Sequence, residues 1–251
     1  MTPGEHLELL RIEGHRLAAM PVEALDLPVP TVPGWTLERV VRHTGRVHRW
    51  VRAVLAAGPV ATLDEPVTVQ SLPHGPACLP AYREALEALL ADLAGYGADR
   101  EAPTLVGSGT VRFWMRRQAH EVAVHRVDAA DAVHAAGGPA PDPFAPTAAA
   151  DGVDEWARVM LARVLPAGSV PESLRGRTVH LRGTDTDNAE WLLRFGADGV
   201  RVETGQSRAD VVVHGRAQEL MLTAWRRRPL AALEVSGDVE VARAMLDAAR
   251  I

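Results

Sequence analysis

The sequence contains no lysine and only one cysteine, Cys78, among its 251 residues. A single cysteine excludes an internal disulfide and any cysteine-rich metal site, which fits the reducing environment of a cytoplasm. All 27 lysine-plus-arginine positions are therefore arginines. Together with abundant alanine, valine, proline and glycine, this usage is typical of GC-rich genomes such as those of actinobacteria, and it carries no information about chemistry.

Several other features are also absent. The net charge is −5 and the pI is about 6.1, so there is no basic surplus to neutralise the phosphates of a nucleic acid. Glu5, Glu8 and Arg11 lie where a signal peptide would need an apolar core. No apolar run approaches the ~18–20 residues needed to span a bilayer. We expect a soluble cytoplasmic protein with no nucleic-acid or membrane partner, and a monomer is the preferred expectation for its oligomeric state.

The apolar residues from the N-terminus to about residue 165 recur at helical spacing. This pattern predicts four long helices and one shorter segment: an opening helix to Met20, a helix from the N-cap Thr36 to Ala57, one from Pro80 to about Leu93, one from Val111 to Ala136, and an amphipathic segment from Gly152 to Leu165. Four helices joined by loops predict an antiparallel bundle, and the cores of such bundles commonly hold metal sites.

From about Arg175 the pattern changes to the alternation of β-strands. Strands are predicted at residues 178–182, 190–195, 200–203, 209–214 and 233–236, and helices at residues 217–227 and 239–249. Gly196-Ala-Asp-Gly199 is typical of a hairpin turn. The fold class is therefore α+β, with a helical domain over residues 1–167 and a small α+β domain over residues 175–251.

Within the fourth predicted helix, Glu121 and His125 lie four residues apart. Their side chains then lie one helical turn apart, with Cβ atoms roughly 5–6 Å from each other, and could share one metal ion. His120 would point about 140° away from His125, so the pattern differs from the His-Glu-x-x-His motif of zinc proteases. The alternative is an ordinary surface pair, which stabilises a helix by about 0.2–0.5 kcal/mol.

Three groups of residues together resemble the mycothiol-dependent maleylpyruvate isomerase family, whose N-terminal part is a DinB-like four-helix bundle and whose C-terminal part is a sterol-carrier-like domain. The groups are Val32-Pro-Gly-Trp-Thr36 followed by His43; His120-Glu-Val-Ala-Val-His-Arg-Val-Asp128; and Gly183-Thr-Asp-Thr-Asp187 with Trp191, Leu222-Thr-Ala-Trp-Arg-Arg227 and Val235-Ser-Gly-Asp238. They cover nearly the whole chain in the order that the family has them.

The resemblance implies that His43, Glu121 and His125 bind a zinc ion. Helical periodicity places His48 nearer than His43 to the centre of the buried stripe, so His48 remains an alternative third ligand. Asp128 follows His125 by three residues and shares its helix face. This carboxylate could accept a hydrogen bond from a ligand imidazole, as residues that surround a metal site commonly do.

The resemblance also implies that Arg227 faces an interdomain cleft and holds a substrate carboxylate, a contact that the forked guanidinium suits. Arg226 and Arg228 are alternatives for this role. If none of the three arginines binds substrate, they form a solvated helix end, where positive charges interact favourably with the helix dipole. Trp35 and Trp225 are expected in the core. No base is identified near Cys78, so we do not expect a catalytic thiol there.

The function implied by the resemblance is a zinc enzyme that uses a low-molecular-weight thiol, mycothiol, to attack an electrophilic small molecule. Addition, bond rotation and loss of the thiol would give cis–trans isomerisation, and retention of the thiol would give an S-transferase. A metalloenzyme that needs no thiol, or a non-enzymatic binding protein with a structural metal, are the alternatives from other classes. The sequence does not identify the substrate.

Overall fold

The computed structural model describes residues 1–59, 63, 67–205 and 208–249. Within it the chain divides into two compact units, an N-terminal unit of residues Met1–Asp142 and a C-terminal unit of residues Pro143–Ile251. The first unit is helical and the second contains the main sheet, so the α+β class expected from the sequence is confirmed.

The N-terminal unit is a bundle of four helices: α1 (Pro3–Ala18), α2 (Leu37–Ala57), α3 (Cys78–Tyr96) and α4 (Val111–Ala135). Helix α1 packs against α3 and α4, and α2 packs against the same two helices. The apolar faces of all four helices meet in one hydrophobic core. The predicted bundle is therefore present, and its helices differ from the sequence-based spans by only a few residues at their ends.

Local signals explain where these helices begin. Thr2 and Glu5 form a capping box at the start of α1, in which each side chain accepts a hydrogen bond from the other residue's backbone. The hydroxyl of Thr36 accepts a hydrogen bond from the backbone N–H of Arg39 at 3.3 Å, so the predicted N-cap of α2 is confirmed. Gly58, with φ of +86°, follows the last residue of α2.

Helix α4 is the central element of the bundle because it is buried on most of its circumference. Small residues such as Ala119, Ala123 and Ala129 are almost completely covered. A helix that is buried nearly all round must pair its polar side chains internally, since an unpaired buried charge is costly. Polar groups carried by α4 are therefore expected to have partners inside the bundle.

A two-stranded hairpin between α3 and α4 was not expected from the sequence. Its antiparallel strands are β1 (Glu101–Thr104) and β2 (Gly107–Thr110). The strands are only four residues long and contain Pro103 and two glycines, so they lack the alternating β-branched pattern that identifies longer strands. The backbone carbonyl of Pro103 accepts a hydrogen bond from the indole of Trp114 at 2.8 Å, which fixes the hairpin against α4.

The C-terminal unit contains a five-stranded sheet in the order β5-β4-β3-β6-β7. The strands are β3 (Thr178–Gly183), β4 (Glu190–Gly196), β5 (Gly199–Thr204), β6 (Val211–Gly215) and β7 (Glu234–Gly237). The β3/β6 pair is parallel and the other neighbours are antiparallel. All five strands were predicted within about two residues of their ends, including the tight turn between β4 and β5.

The helices of the C-terminal unit include α7 (Ala217–Ala224) and α8 (Val239–Ala248). Helix α7 ends three residues before the expected residue 227. Its C-terminus is closed by a turn in which the N–H groups of Arg227 and Arg228 both bond to the carbonyl of Leu222, with Arg226 in the left-handed region at φ of +65°. The arginines and Pro229 indicate a helix end in this region, but no residue in the run signals a left-handed turn as early as Arg226.

A helical segment opens the C-terminal unit. It consists of α5 (Pro146–Glu155), a π-helical stretch (Trp156–Leu161) and the short α6 (Ala162–Val164). Helix α5 packs against α7. The sequence-based domain limits assign this segment to the helical domain, whereas its contacts group it with the sheet. Helical periodicity shows that a face is buried but does not identify the element that covers it.

Among the described residues, no helix is both long enough and apolar enough to cross a membrane.

Candidate metal centre

Three of the sequence-predicted residues meet inside the N-terminal unit. His43 lies on α2, and Glu121 and His125 lie one turn apart on α4. One ligand atom from each residue lies within 4.8 Å of the other two. Oε1 of Glu121 is 3.3 Å from Nε2 of both His43 and His125. Two imidazoles and one carboxylate therefore converge on a common point, an arrangement compatible with one metal ion.

The Glu121 side chain is held from its other side by Arg117, one turn earlier on α4. A guanidinium nitrogen of Arg117 lies 3.0 Å from Oε2 of Glu121. Burial alone would raise the pKa of Glu121, but hydrogen bonds from His125 and His43 and the charges of His125 and Arg117 hold that pKa well below its usual range. The carboxylate is therefore ionised at neutral pH, as a metal ligand must be.

His125 is fixed through its second ring nitrogen. Its Nδ1 lies 2.9 Å from Oδ2 of Asp128, a side chain with no exposed surface. The hydroxyl of Thr31 donates to the other carboxylate oxygen of Asp128 at 3.3 Å. The hydrogen bond expected between Asp128 and a candidate ligand is therefore present, and it turns Nε2 of His125 towards Glu121 and His43.

Trp35 forms one wall of the cluster. The loop that carries it is closed by hydrogen bonds from Val29 N–H to the Trp35 carbonyl at 2.9 Å and from Trp35 N–H to the Val32 carbonyl at 3.1 Å. The indole stacks on the His125 ring at 6.0 Å and meets the His43 ring edge-on at 5.0 Å. Trp35 is only partly buried, so it is a wall of this site rather than the core residue that the sequence suggested.

His48, the alternative third ligand, is not part of this cluster. It is fully buried, and its Nδ1 lies 2.9 Å from the amide oxygen of Gln118. Its Nε2 has no hydrogen-bond partner in the part of the chain that the structure describes. Burial, opposed by the Gln118 hydrogen bond, lowers the pKa of His48 to about 4. His120 is also buried, with its ring 5.9 Å from that of His6.

The chain matches two models of protein families. Residues 10–130 match the mycothiol maleylpyruvate isomerase N-terminal domain, and residues 147–244 match the C-terminal domain of the same family. The chain belongs to the mycothiol maleylpyruvate isomerase family. The resemblance seen in the sequence is thereby confirmed, and the two matched regions fall within the two compact units. Comparison with curated proteins finds no match.

Solved structures of family members share this fold. The mycothiol-dependent maleylpyruvate isomerase is 15% identical, with a TM-score of 0.60 over 94% of this chain and 93% of that chain. A histidine-to-alanine mutant of the mycothiol-dependent maleylpyruvate isomerase is 14% identical, with a TM-score of 0.63 over the same shares. At these identities the likeness shows the fold alone.

Arg227, expected to hold a substrate carboxylate in this family, lies in the turn after α7 in the C-terminal unit. Its guanidinium donates to the backbone carbonyl of Trp225 at 2.8 Å. Arg226 pairs with Asp247 at 3.0 Å, and Arg228 donates to the carbonyl of Arg227 at 2.8 Å. The assignment of Arg227 to substrate binding stays a prediction.

Two contributors to the site were missed by sequence reasoning. Arg117 precedes Glu121 by four residues, so the same spacing rule that paired Glu121 with His125 would have found it. Thr31 comes from a loop 97 residues away from Asp128, and no sequence pattern signals that contact. The prediction that Cys78 is not a catalytic thiol fits its burial, which raises the pKa of the thiol to about 11.

Proposed function

We propose that this member of the mycothiol maleylpyruvate isomerase family is a zinc-dependent isomerase that uses mycothiol as its thiol cosubstrate. The thiol adds to an electron-poor double bond of a small molecule, the resulting single bond rotates, and loss of the thiol completes a cis–trans isomerisation. The observation that carries the proposal is the convergence of His43, Glu121 and His125 within 4.8 Å of one another.

The donor set supports zinc. Imidazole and carboxylate ligands are those that catalytic zinc sites use, with three protein ligands and one position open to water or substrate. Glu121 is ionised and His125 is oriented by Asp128, which is the second hydrogen bond that ligand histidines normally make. When bound, a zinc ion lowers the pKa of a thiol that coordinates it, which produces a nucleophile at neutral pH.

The site is partly open on the His43 side. The side chain of His43 is 29% exposed, whereas that of His125 is 9% exposed. A cavity of about 210 Å³ borders His43 and Trp35. A small molecule can therefore approach from this side, while Trp35 and the helices of the bundle cover most of the surface of the other two ligands. Arg227 is retained in the proposal as the candidate residue for holding a carboxylate of the substrate.

Metal content is the first test. Elemental analysis of the parent should give about one equivalent of zinc, and the variants Glu121→Ala and His43→Ala should lose most of it because each removes one of three ligands. The matched control is His48→Gln, which changes a neighbouring histidine outside the cluster and should keep its zinc. Loss of zinc in the control with retention in His43→Ala would assign the third ligand to His48.

Thiol dependence is the second test. The zinc-loaded protein should isomerise maleylpyruvate only when mycothiol is present, and the Glu121→Ala variant should be inactive under the same conditions. Turnover without thiol, or accumulation of a stable thiol adduct in place of the isomer, would contradict the proposed reaction. A protein that stays metal-free after zinc is supplied would refute the proposal altogether.

The role of the metal is the third test. Far-UV circular dichroism after chelation of the zinc should show a retained fold, because removal of a structural zinc would unfold the site that the metal holds together.

A further inference from the structure

The cavity beside His43 has an unusual charge composition. Its lining consists of Trp35, Arg39, Arg42, His43, Arg46 and Ser71. Among the described residues, three arginines and no carboxylate border this small space, although the whole chain has more acidic than basic residues, 32 against 27. Concave surfaces of one charge concentrate the field and attract ions of the opposite sign.

The helical spacing of α2 brings these cations onto one face. Arg39, Arg42, His43 and Arg46 follow at intervals of three and four residues, so their side chains are neighbours on the helix surface. Like charges at such intervals destabilise a helix slightly when nothing neutralises them. The stripe runs directly past His43, so an anion bound to it would lie beside the candidate metal centre.

The neighbours of Arg42 leave its positive charge largely uncompensated. Arg42 donates its Nε–H to the backbone carbonyl of Leu72 at 3.0 Å, which orients the guanidinium without cancelling its charge. Its nearest acid is Glu38, at 4.0 Å. One oxygen of Glu38 is already engaged by the His74 ring at 2.9 Å and by the Gly75 N–H at 3.1 Å.

Arg46 and Arg39 complete the cation set. Arg46 is exposed and makes no ion pair or hydrogen bond with the residues that the structure describes. Arg39 lies over the Trp35 ring, with its guanidinium carbon 4.8 Å from the ring centroid. It also approaches the Gly34 carbonyl at 3.5 Å. Arg42 is thus held in place, Arg39 is stacked on the wall of the metal centre, and Arg46 is available for a ligand.

A carboxylate, that of Glu121, also faces His43 from the other side. Glu121 lies 3.3 Å from the His43 ring, but Arg117 and His125 surround that carboxylate with positive charge. Glu121 therefore does not neutralise the arginines of α2. The cavity of about 210 Å³ is smaller than the ~300–1,000 Å³ typical of sites for drug-sized ligands, so it fits a small anionic group.

We propose that this arginine-lined cavity is a carboxylate subsite for the electrophilic substrate, with Arg42 and Arg46 as its specificity-determining residues. The guanidinium groups donate charge-assisted hydrogen bonds to the carboxylate and orient the substrate next to His43. These two residues then select an unsaturated acid over its neutral counterpart. The inference rests on the proposed function, because it places the substrate of that reaction.

Direct binding tests the subsite without turnover. Isothermal titration of the metal-free and the zinc-loaded protein should detect maleate, a small unsaturated dicarboxylate, but not its neutral diamide. Arg46→Gln and Arg42→Gln should each weaken maleate binding about tenfold, the loss expected for one charge-assisted hydrogen bond. The control Arg11→Gln removes the same charge from an exposed pair on α1 and should leave binding unchanged. Because Arg46 is exposed, its variant should keep the parent's thermal stability.

Several results would overturn the subsite. One is equal binding of maleate and the diamide, and another is parent-like binding in both Arg46→Gln and Arg42→Gln. A loss confined to Arg227→Gln would move the carboxylate to the C-terminal unit. In the active enzyme, Arg46→Gln should raise KM for maleylpyruvate about tenfold and leave KM for the thiol unchanged; the reverse pattern would assign the anionic group to the thiol and refute the proposal.

The same proteins separate this inference from the proposed function. Zinc content and thiol-dependent turnover decide the reaction, while maleate binding to the metal-free protein decides the subsite. Absence of zinc together with Arg46-dependent maleate binding would refute the reaction and keep the anion site. Turnover that requires zinc and thiol, together with equal binding of maleate and its neutral diamide, would refute the subsite and leave the reaction intact.

Discussion

Nδ1 of His125 lies 2.9 Å from a carboxylate oxygen of Asp128, three residues further along the same helix. Because Asp128 is completely buried, this hydrogen bond is shielded from water and fixes the orientation of the imidazole. The other ring nitrogen, Nε2, then points at the oxygen that Glu121 also presents to His43. The two ring nitrogens of His125 thus connect the core of the bundle to the candidate metal centre.

Removing the charge of Asp128 should weaken metal binding. In Asp128→Asn the side chain keeps its size but loses the negative charge that favours the oriented imidazole, so the dissociation constant for zinc should rise about 10–100-fold. Competition with a chromogenic chelator measures this change. The matched control is Asp131→Asn, one turn further along α4. Unchanged zinc affinity in Asp128→Asn would limit this carboxylate to a structural role.

Zinc binding should release a proton from His125. Burial alone would lower the pKa of this imidazole, but hydrogen bonds to Asp128 and Glu121 and the charges of both carboxylates raise it to about 9 in the metal-free protein. His125 is then protonated at neutral pH, whereas a ligand imidazole must be neutral. Zinc affinity should therefore increase with pH up to about 9.

Calorimetry measures the proton release directly. At pH 7.5 the observed enthalpy of zinc binding should depend on the ionisation enthalpy of the buffer, with a slope of about one proton. In the Asp128→Asn variant the proton should be held less tightly, so the slope should fall. An observed enthalpy that is the same in all buffers would mean that His125 is already neutral in the metal-free protein.

Much of the candidate site follows from helix geometry and the family resemblance. The four-residue step from Glu121 to His125 fixes their common face, and the three-residue step to Asp128 predicts the hydrogen bond that the structure contains. The choice of His43 over His48 did not follow from burial. The buried stripe of α2 is centred on His48, and a partly exposed histidine at the edge of that stripe completes the cluster.

The features that sequence reasoning missed depend on contacts between distant segments or on irregular backbone. Thr31 reaches Asp128 across 97 residues of chain, and the short hairpin before α4 has too few residues for a strand pattern. The end of α7 at Ala224 is set by a left-handed turn at Arg226, a conformation that arginine does not signal. By contrast, the strands of the C-terminal unit alternate regularly, and their ends were predicted to within about two residues.

A buried ion pair between α1 and α4 should matter for stability. Glu13 and Arg126 are both almost completely buried, and their side chains meet at 2.5 Å. In Glu13→Gln the buried guanidinium of Arg126 loses the negative charge of this carboxylate, so the free energy of unfolding should fall by about 3–5 kcal/mol. Urea denaturation measures this loss. The control Glu8→Gln changes an exposed partner of Arg11 and should leave stability nearly unchanged; equal effects of the two substitutions would contradict the role assigned to the buried pair.

His48 should make the metal-free protein sensitive to mild acid. Burial lowers the pKa of His48 to about 4 in the folded state, against an ordinary value near 6.5. Between these values the unfolded chain binds a proton that the folded chain does not, so stability is complete above about pH 6.5 and falls as the pH drops towards 4. This single group should remove about 2 kcal/mol of stability between pH 8 and pH 5.

Urea denaturation of the metal-free protein at several pH values between 8 and 5 measures this effect. His48→Gln has no proton to gain in this range, so its stability should decline less steeply with falling pH than that of the parent. His15→Gln is the control, because His15 is 41% exposed and pairs with Glu87 at the surface. This variant should follow the parent closely. Parallel curves for the parent and His48→Gln would mean that His48 is not held neutral by burial, and that water or another group reaches its ring inside the bundle.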